Sequence, residues 1–138
     1  MAELSGHCTC DLERCTSLRP VLWAGHCRCD SCRRVTASPF TRFFAVPRAS
    51  VTWHGDLATR KASGGRGARR FCPTCGTQMS CQNAIWPDET HLYAASLDDP
   101  SPDQAEAHEP WGERLLWGAL EDDLPKHSGC ADAEEPVT

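Results

Sequence analysis

The sequence predicts an all-β domain with one short helix, stapled by metal rather than built on a large core. Three observations predict it. Apolar residues recur mostly with a period of two and in short runs, the pattern of half-buried strands. Breakers at Pro20, Pro39, Pro47, Gly55, Pro87 and Pro100 interrupt these runs at short intervals. Seven of the ten cysteines fall in three tight groups, Cys8-x-Cys10, Cys27-x-Cys29-x-x-Cys32 and Cys72-x-x-Cys75.

Taken along the chain, Val21–His26 is the first run that reads as a strand. A helix follows Cys29, with Asp30 or Ser31 as the N-cap and Cys32–Ala37 as its turns, because short polar side chains accept from the free N–H groups of a first turn. Phe40–Pro47 and Val51–Trp53 are strands split by a turn around Arg48–Ser50. Gly67–Phe71 leads into the third cysteine group and Thr77–Cys81 leaves it. His91–Leu97 and Arg114–Leu120 complete the set. From His127 the chain is polar, acidic and unpatterned, so residues 128–138 are expected as a disordered tail. Neither a solenoid-type repeat nor an inter-domain linker stands out, and 138 residues suit one domain.

An even number of cysteines is compatible with a disulfide framework. The N-terminal MAELSGHCTC lacks the apolar stretch of a secretory signal, and no segment is apolar enough to span a membrane. The expectation is therefore a cytoplasmic protein, where clustered thiols more often bind metal. Cysteines two and three residues apart also suit one shared ion better than bonds to distant partners.

Cys72-Pro-Thr-Cys75-Gly76 reads as a zinc knuckle. Pro73 presets one turn dihedral, and Gly76 permits the positive φ with which the chain leaves the metal. Cys8 and Cys10 supply the second pair, on the reading that alternate residues of an extended segment share a face. Four thiolates close a tetrahedral site, which is then structural. Cys27, Cys29 and Cys32 make a three-ligand set, the number that keeps a position for water or substrate. The first helical turn at Cys32 and the nearby Arg28, Arg33 and Arg34 are expected to favour thiolate there. His26, His54, His91, Cys81 and Cys15 are candidates by type for a fourth ligand that would close the site. Cys130 stands alone near the end.

The formal charge of −5 argues against a nucleic-acid partner, which would call for clustered phosphate-binding cations. The basic stretch Thr59–Arg70 is the local exception, read either as an anion site or, more simply, as a solvated Gly-rich loop.

Together, Cys8 and Cys10, the run Cys27–Arg34, the run Phe71–Thr77 (FCPTCGT), Ala95–Pro100 (ASLDDP), Trp111–Trp117 (WGERLLW) and Leu124–Lys126 resemble the glutathione-dependent formaldehyde-activating enzyme family, which also contains centromere protein V. The resemblance covers about residues 5–127. It implies a β-tent fold like that of Mss4-like proteins, a structural zinc on Cys8, Cys10, Cys72 and Cys75, and a second, catalytic zinc on Cys27, Cys29 and Cys32. It implies a carbon–sulfur lyase acting in reverse, joining glutathione and formaldehyde into S-hydroxymethylglutathione, or a related thiol and aldehyde. Arg33 and Arg34 are the candidates for binding the thiol's carboxylates. Two positions depart from the family's usual pattern: Asp11 stands where Gly is frequent, and Arg28 where His is frequent. Two other functions fit parts of the sequence. One is a non-catalytic zinc module that binds a thiol metabolite or a protein. The other is a methionine sulfoxide reductase of type B, suggested by Cys81-Gln-Asn83 but lacking the preceding Arg, since position 79 is Met79.

Overall fold

The computed structural model describes residues 3–18, 21–61, 67–99, 108–109, 111–118, 123–127 and 136–137. The strands in chain order are β1 (Glu3–His7), β2 (Arg14–Leu18), β3 (Trp23–Cys27), β4 (Thr41–Pro47), β5 (Val51–His54) and β6 (Ala58–Lys61). They continue with β7 (Gly67–Phe71), β8 (Gln78–Asn83), β9 (Glu89–Tyr93), β10 (His108–Glu109), β11 (Lys126–His127) and β12 (Pro136–Val137). Among the described residues one α-helix, α1 (Asp30–Thr36), interrupts them. The all-β expectation with one short helix after the three-cysteine group holds.

The chain divides into two compact units. The first contains Met1–Leu22 and Phe44–Pro102. In it β1, β2 and β5 form an antiparallel sheet of their own, with Cys15 opposite both Gly6 and Trp53. A second ladder runs β4-β9-β8-β7-β6. Phe44, Ala45 and Val46 are all fully buried on β4, the continuous burial of a strand covered on both faces. Met79 and Leu92 from β8 and β9 complete this core. Truncating Phe44 to Ala would cost about 3–5 kcal/mol.

β1 is locked to the end of this unit. Gly6 bridges Leu97, and a Cβ on Gly6 would meet the Ser96 carbonyl at 2.7 Å, so only glycine allows the approach. The Asp98 backbone N–H donates to the Ser5 carbonyl, the Ser5 hydroxyl donates to the Asp98 carboxylate at 2.6 Å, and His7 Nδ1 meets the other carboxylate oxygen. The Ser5 hydroxyl holds the Asp98 carboxyl below its ordinary value against the opposing effect of burial, and the His7 ring adds to the lowering. An Asp with a lowered folded pKa stabilises fully above the unfolded value of about 3.9, and that stabilisation is lost as pH falls towards the folded value. Asp98→Asn is therefore expected to lower the melting temperature by a constant, small amount above about pH 5, with the gap to wild type closing below about pH 4. A gap that persists unchanged to pH 3 would show that the carboxylate charge is not what fastens β1.

The second unit contains Trp23–Phe43 and Asp103–Thr138. Its ladder runs β12-β11-β10-β3-β4, with β10 parallel to β3 and β11. Trp23 packs on Phe43 and His26 on Phe40, ring centres 5.4 and 4.8 Å apart.

Several expectations need correcting. The N-cap of α1 is Cys29, not Asp30 or Ser31: its Sγ accepts from the Cys32 N–H at 3.1 Å. The helix ends on Ala37, held left-handed at φ 53°. The strand expected over His91–Leu97 stops at Tyr93, where Ala94–Ser96 makes a 3₁₀ turn. In place of the strand expected over Arg114–Leu120, Leu116–Gly118 forms a 3₁₀ turn that leaves Leu116 and Trp117 exposed; residues 119 and 120 lie outside the described residues. The basic stretch is not a loop throughout, because Ala58–Lys61 pairs with Ala68–Phe71. Pro136–Val137 pairs with Lys126–His127, a ladder the sequence did not suggest, while the rest of the tail, Cys130 included, lies outside the described residues.

Candidate metal centres

The first centre sits where two turns meet. Cys8 follows β1 directly, and the chain then folds back through a turn closed by the Asp11 N–H on the Cys8 carbonyl at 3.0 Å. Cys8 and Cys10 therefore converge across a turn, not along an extended segment as expected. Asp11 takes φ 67°, a left-handed conformation that suits glycine and that Asp tolerates better than most residues. Its carboxylate compensates by accepting both contacts of the Arg14 guanidinium at 2.6 and 2.7 Å. The frequent Gly of the resembled family thus corresponds to a backbone requirement here. Gly76 follows the same rule on the other side, at φ 81°, and its N–H closes the Cys72 turn at 2.8 Å.

The sulfurs of Cys8, Cys10, Cys72 and Cys75 all lie within 4.8 Å of one another. Cys8 to Cys10 is 3.5 Å and Cys10 to Cys72 is 3.7 Å. Zinc–sulfur bonds of about 2.3 Å at tetrahedral angles put neighbouring sulfurs about 3.8 Å apart, so this set fits a zinc ion. The thiols are also prepared as anions unequally. The Thr77 hydroxyl and backbone N–H bring the Cys75 thiol down to about 5, whereas Cys10, with a backbone donor at Leu12 working against it, is pushed up to about 12 by burial and by three neighbouring sulfurs. A shared cation would relieve the repulsion between them. Thr9 and Thr77 join the two turns directly, hydroxyl to hydroxyl at 3.1 Å and Thr9 N–H to the Thr77 hydroxyl at 3.1 Å.

The second centre lies wholly in the other unit. Cys27 ends β3, Cys29 caps α1 and Cys32 occupies its first turn. Their sulfurs also lie within 4.8 Å of one another, with Cys27 to Cys32 at 3.5 Å. Among the described residues no fourth Cys, His, Asp or Glu joins them. Of the fourth-ligand candidates, His26 is buried and stacked on Phe40, and Cys15, His54, Cys81 and His91 belong to the first unit.

The expected lowering of the thiol pKa does not hold for the bare sulfurs of Cys27 and Cys29. Cys29, Cys32 and burial push the Cys27 thiol well up. Cys29 is favoured as an anion by Cys27, but Cys32 and burial outweigh this and take it to about 11. Three sulfurs this close, one buried and two half-buried, cannot all ionise next to one another unless a cation is shared among them. The donor set therefore fits a metal better than it fits a free nucleophile.

The arginines are also arranged differently from expectation. Arg28 is fully buried, its guanidinium 4.8 Å from the Phe40 ring centre and 5.2 Å from that of Trp111. Arg33 reaches back to the Arg28 carbonyl and to Asp30, and Arg34 holds Asp30 at 2.9 and 3.0 Å. Asp30 thus engages both residues expected to bind a substrate carboxylate.

A β-fold with one short helix among the described residues, a four-sulfur knuckle and a separate three-sulfur group fit the Mss4-like class of folds. The glutathione-dependent formaldehyde-activating enzyme model matches residues 3–113, and the chain belongs to that family. A crystal structure of a Rhodobacter sphaeroides protein is similar, with 22% identity, a TM-score of 0.59, and coverage of 71% of this chain and 91% of that one. That likeness is one of fold. No curated protein matches the chain. Among the described residues no helix is long and apolar enough to cross a membrane. Nothing favours a sulfoxide reductase: Cys81 sits half-buried in mid-strand opposite His91, and the family match is to another activity.

Proposed function

We propose that the protein is a carbon–sulfur lyase working in the direction of synthesis, adding a small thiol to a small aldehyde at Cys27, Cys29 and Cys32. Glutathione and formaldehyde are the pair that the family name indicates. The observation that carries this reading is the contrast between the two centres, one with four converging sulfurs and one with three. Cys8, Cys10, Cys72 and Cys75 would hold a structural zinc, and Cys27, Cys29 and Cys32 a second one. Zinc at the second site would supply the cation that draws the proton from a substrate thiol near neutral pH.

In the reaction the thiol sulfur bonds to the carbonyl carbon, the C=O π bond opens, and the oxygen takes up a proton equal to the one the thiol gave up. No oxidant or reductant is needed. The chain's own contribution is position. Capping by Cys29 fixes the start of α1, so the sulfurs of Cys29 and Cys32 are set by the same turn. Asp30 orients Arg33 and Arg34 beside that turn. In this proposal these arginines stay secondary candidates for substrate carboxylates, because any such contact competes with Asp30.

The test is proton exchange spectroscopy on glutathione and formaldehyde with zinc-loaded protein. Interconversion with S-hydroxymethylglutathione should exceed the buffer rate, and Cys29→Ser should return it to that rate. No acceleration by protein carrying both zinc ions would remove this reaction as the function.

A further inference from the structure

The run Trp111–Trp117 has no task in the centres described so far, yet the fold brings its start to the three-cysteine group. β10 pairs Glu109 with Cys27, two residues before Trp111. The Glu113 carboxylate accepts from the Asp30 N–H at 2.9 Å, fastening the 3₁₀ turn Trp111–Glu113 to the start of α1. Arg28, between Cys27 and Cys29, packs on Trp111. Lys126 arrives on β11, paired with His108.

The result is three cations around one indole. The Arg114 guanidinium lies 4.5 Å from the Trp111 ring centre, the Lys126 ammonium 5.0 Å and Arg28 5.2 Å. Arg28 is buried, whereas Arg114 and Lys126 are half-buried and reach solvent. Hydrogen bonds from Arg114 and Lys126 go to the carbonyls of Trp111 and Leu124, at 2.9 and 3.1 Å. Among the described residues neither makes an ion pair. Each ring contact is individually favourable, but crowding cations at one ring is unfavourable unless an anion shares the site. Arg33 and Arg34, by contrast, already share Asp30.

We propose that Arg114 and Lys126, mounted on Trp111, form the subsite that receives a carboxylate of the thiol substrate and selects an anionic thiol of the glutathione type over a neutral one. Arg28 acts beneath them as a positioning residue that adds fixed positive charge. This rests on the thiol–aldehyde reading above for its substrate class. The pairing of Glu109 with Cys27 and the bond from Asp30 to Glu113 tie this turn to the three-cysteine group, so a thiol held here by its carboxylate would lie near Cys27, Cys29 and Cys32.

The probe is S-methylglutathione, whose carboxylates are intact and whose sulfur is blocked, titrated calorimetrically into the zinc-loaded full chain. Wild type should bind it, more weakly as salt rises. Arg114→Gln and Lys126→Gln should each weaken it on the order of tenfold, in line with loss of a charge-assisted hydrogen bond. Their melting temperatures should stay near wild type, and the visible spectrum of cobalt-substituted protein should still respond to 2-mercaptoethanol. Unchanged affinity in the double variant, or a loss confined to Arg33→Gln and Arg34→Gln, would overturn the assignment. Absence of wild-type binding would also overturn it. If glutathione still altered the cobalt spectrum, the thiol–aldehyde reading would survive that result; if it did not, both would fall.

Discussion

Cys75→Ser is expected to leave the chain unfolded or aggregated under conditions where wild type is stable. A structural zinc contributes on the order of 10–16 kcal/mol in small modules, against a typical domain stability of roughly 5–15 kcal/mol. Cys75 is exposed, so the loss of its side chain opens no cavity and deletes little apolar contact. A large effect must then come through the ion. It would come from losing one of four ligands, a thiol that the Thr77 hydroxyl and backbone N–H bring down to about 5. Far-ultraviolet circular dichroism and thermal melts decide the matter. A Cys75→Ser protein melting within a few degrees of wild type would show that the knuckle is not a staple.

Cys29→Ser should behave in the opposite way, keeping the fold and losing the second metal. Serine is among the best N-caps, so its hydroxyl can replace the Cys29 sulfur as acceptor for the Cys32 N–H. As a neutral hydroxyl it is a poor zinc ligand. Affinity at the second centre should fall by several orders of magnitude, while the melting temperature matches that of wild type stripped of the second ion only. Cys29→Ala removes cap and ligand together and should cost about 1 kcal/mol more. Metal content after mild chelation, followed by melts of all three proteins, separates the two roles. If Ser and Ala melt alike, the sulfur does not serve as a cap.

The two centres were legible because thiol spacing states them almost directly. Cys72, Pro73 and Gly76 specify one turn geometry, and the short spacings of Cys27, Cys29 and Cys32 leave few ways to separate the sulfurs. Strands of strong apolar pattern, such as Phe40–Pro47, were legible for the usual reason. β1 and β2 were not. Their inward faces are Leu4 with Gly6 and Cys15 with Ser17, too small and too polar to register as an alternation. The cap was missed because Asp30 and Ser31 are better caps by type, yet Asp30 is taken up by Arg33 and Arg34 and the Cys29 sulfur accepts from the Cys32 N–H instead. The cations around Trp111 were beyond reach, since Arg28, Arg114 and Lys126 are brought together by the parallel pairing of the two-residue β10 with β3 and β11.

The separation of ligands along the chain also sets an order of events during synthesis. Cys27 and Cys32 are five residues apart, so the second centre has all its sulfurs as soon as α1 has emerged from the ribosome. Cys10 must wait 62 residues for Cys72, and His7 must wait 91 for Asp98. At about 5–20 residues per second, the first gap alone lasts about 3–12 s. For that interval Cys8 and Cys10 are an open pair of thiols on a nascent chain, exposed to stray copper and to oxidants. Supply of zinc and of reductant during translation would then bear on how much of it matures.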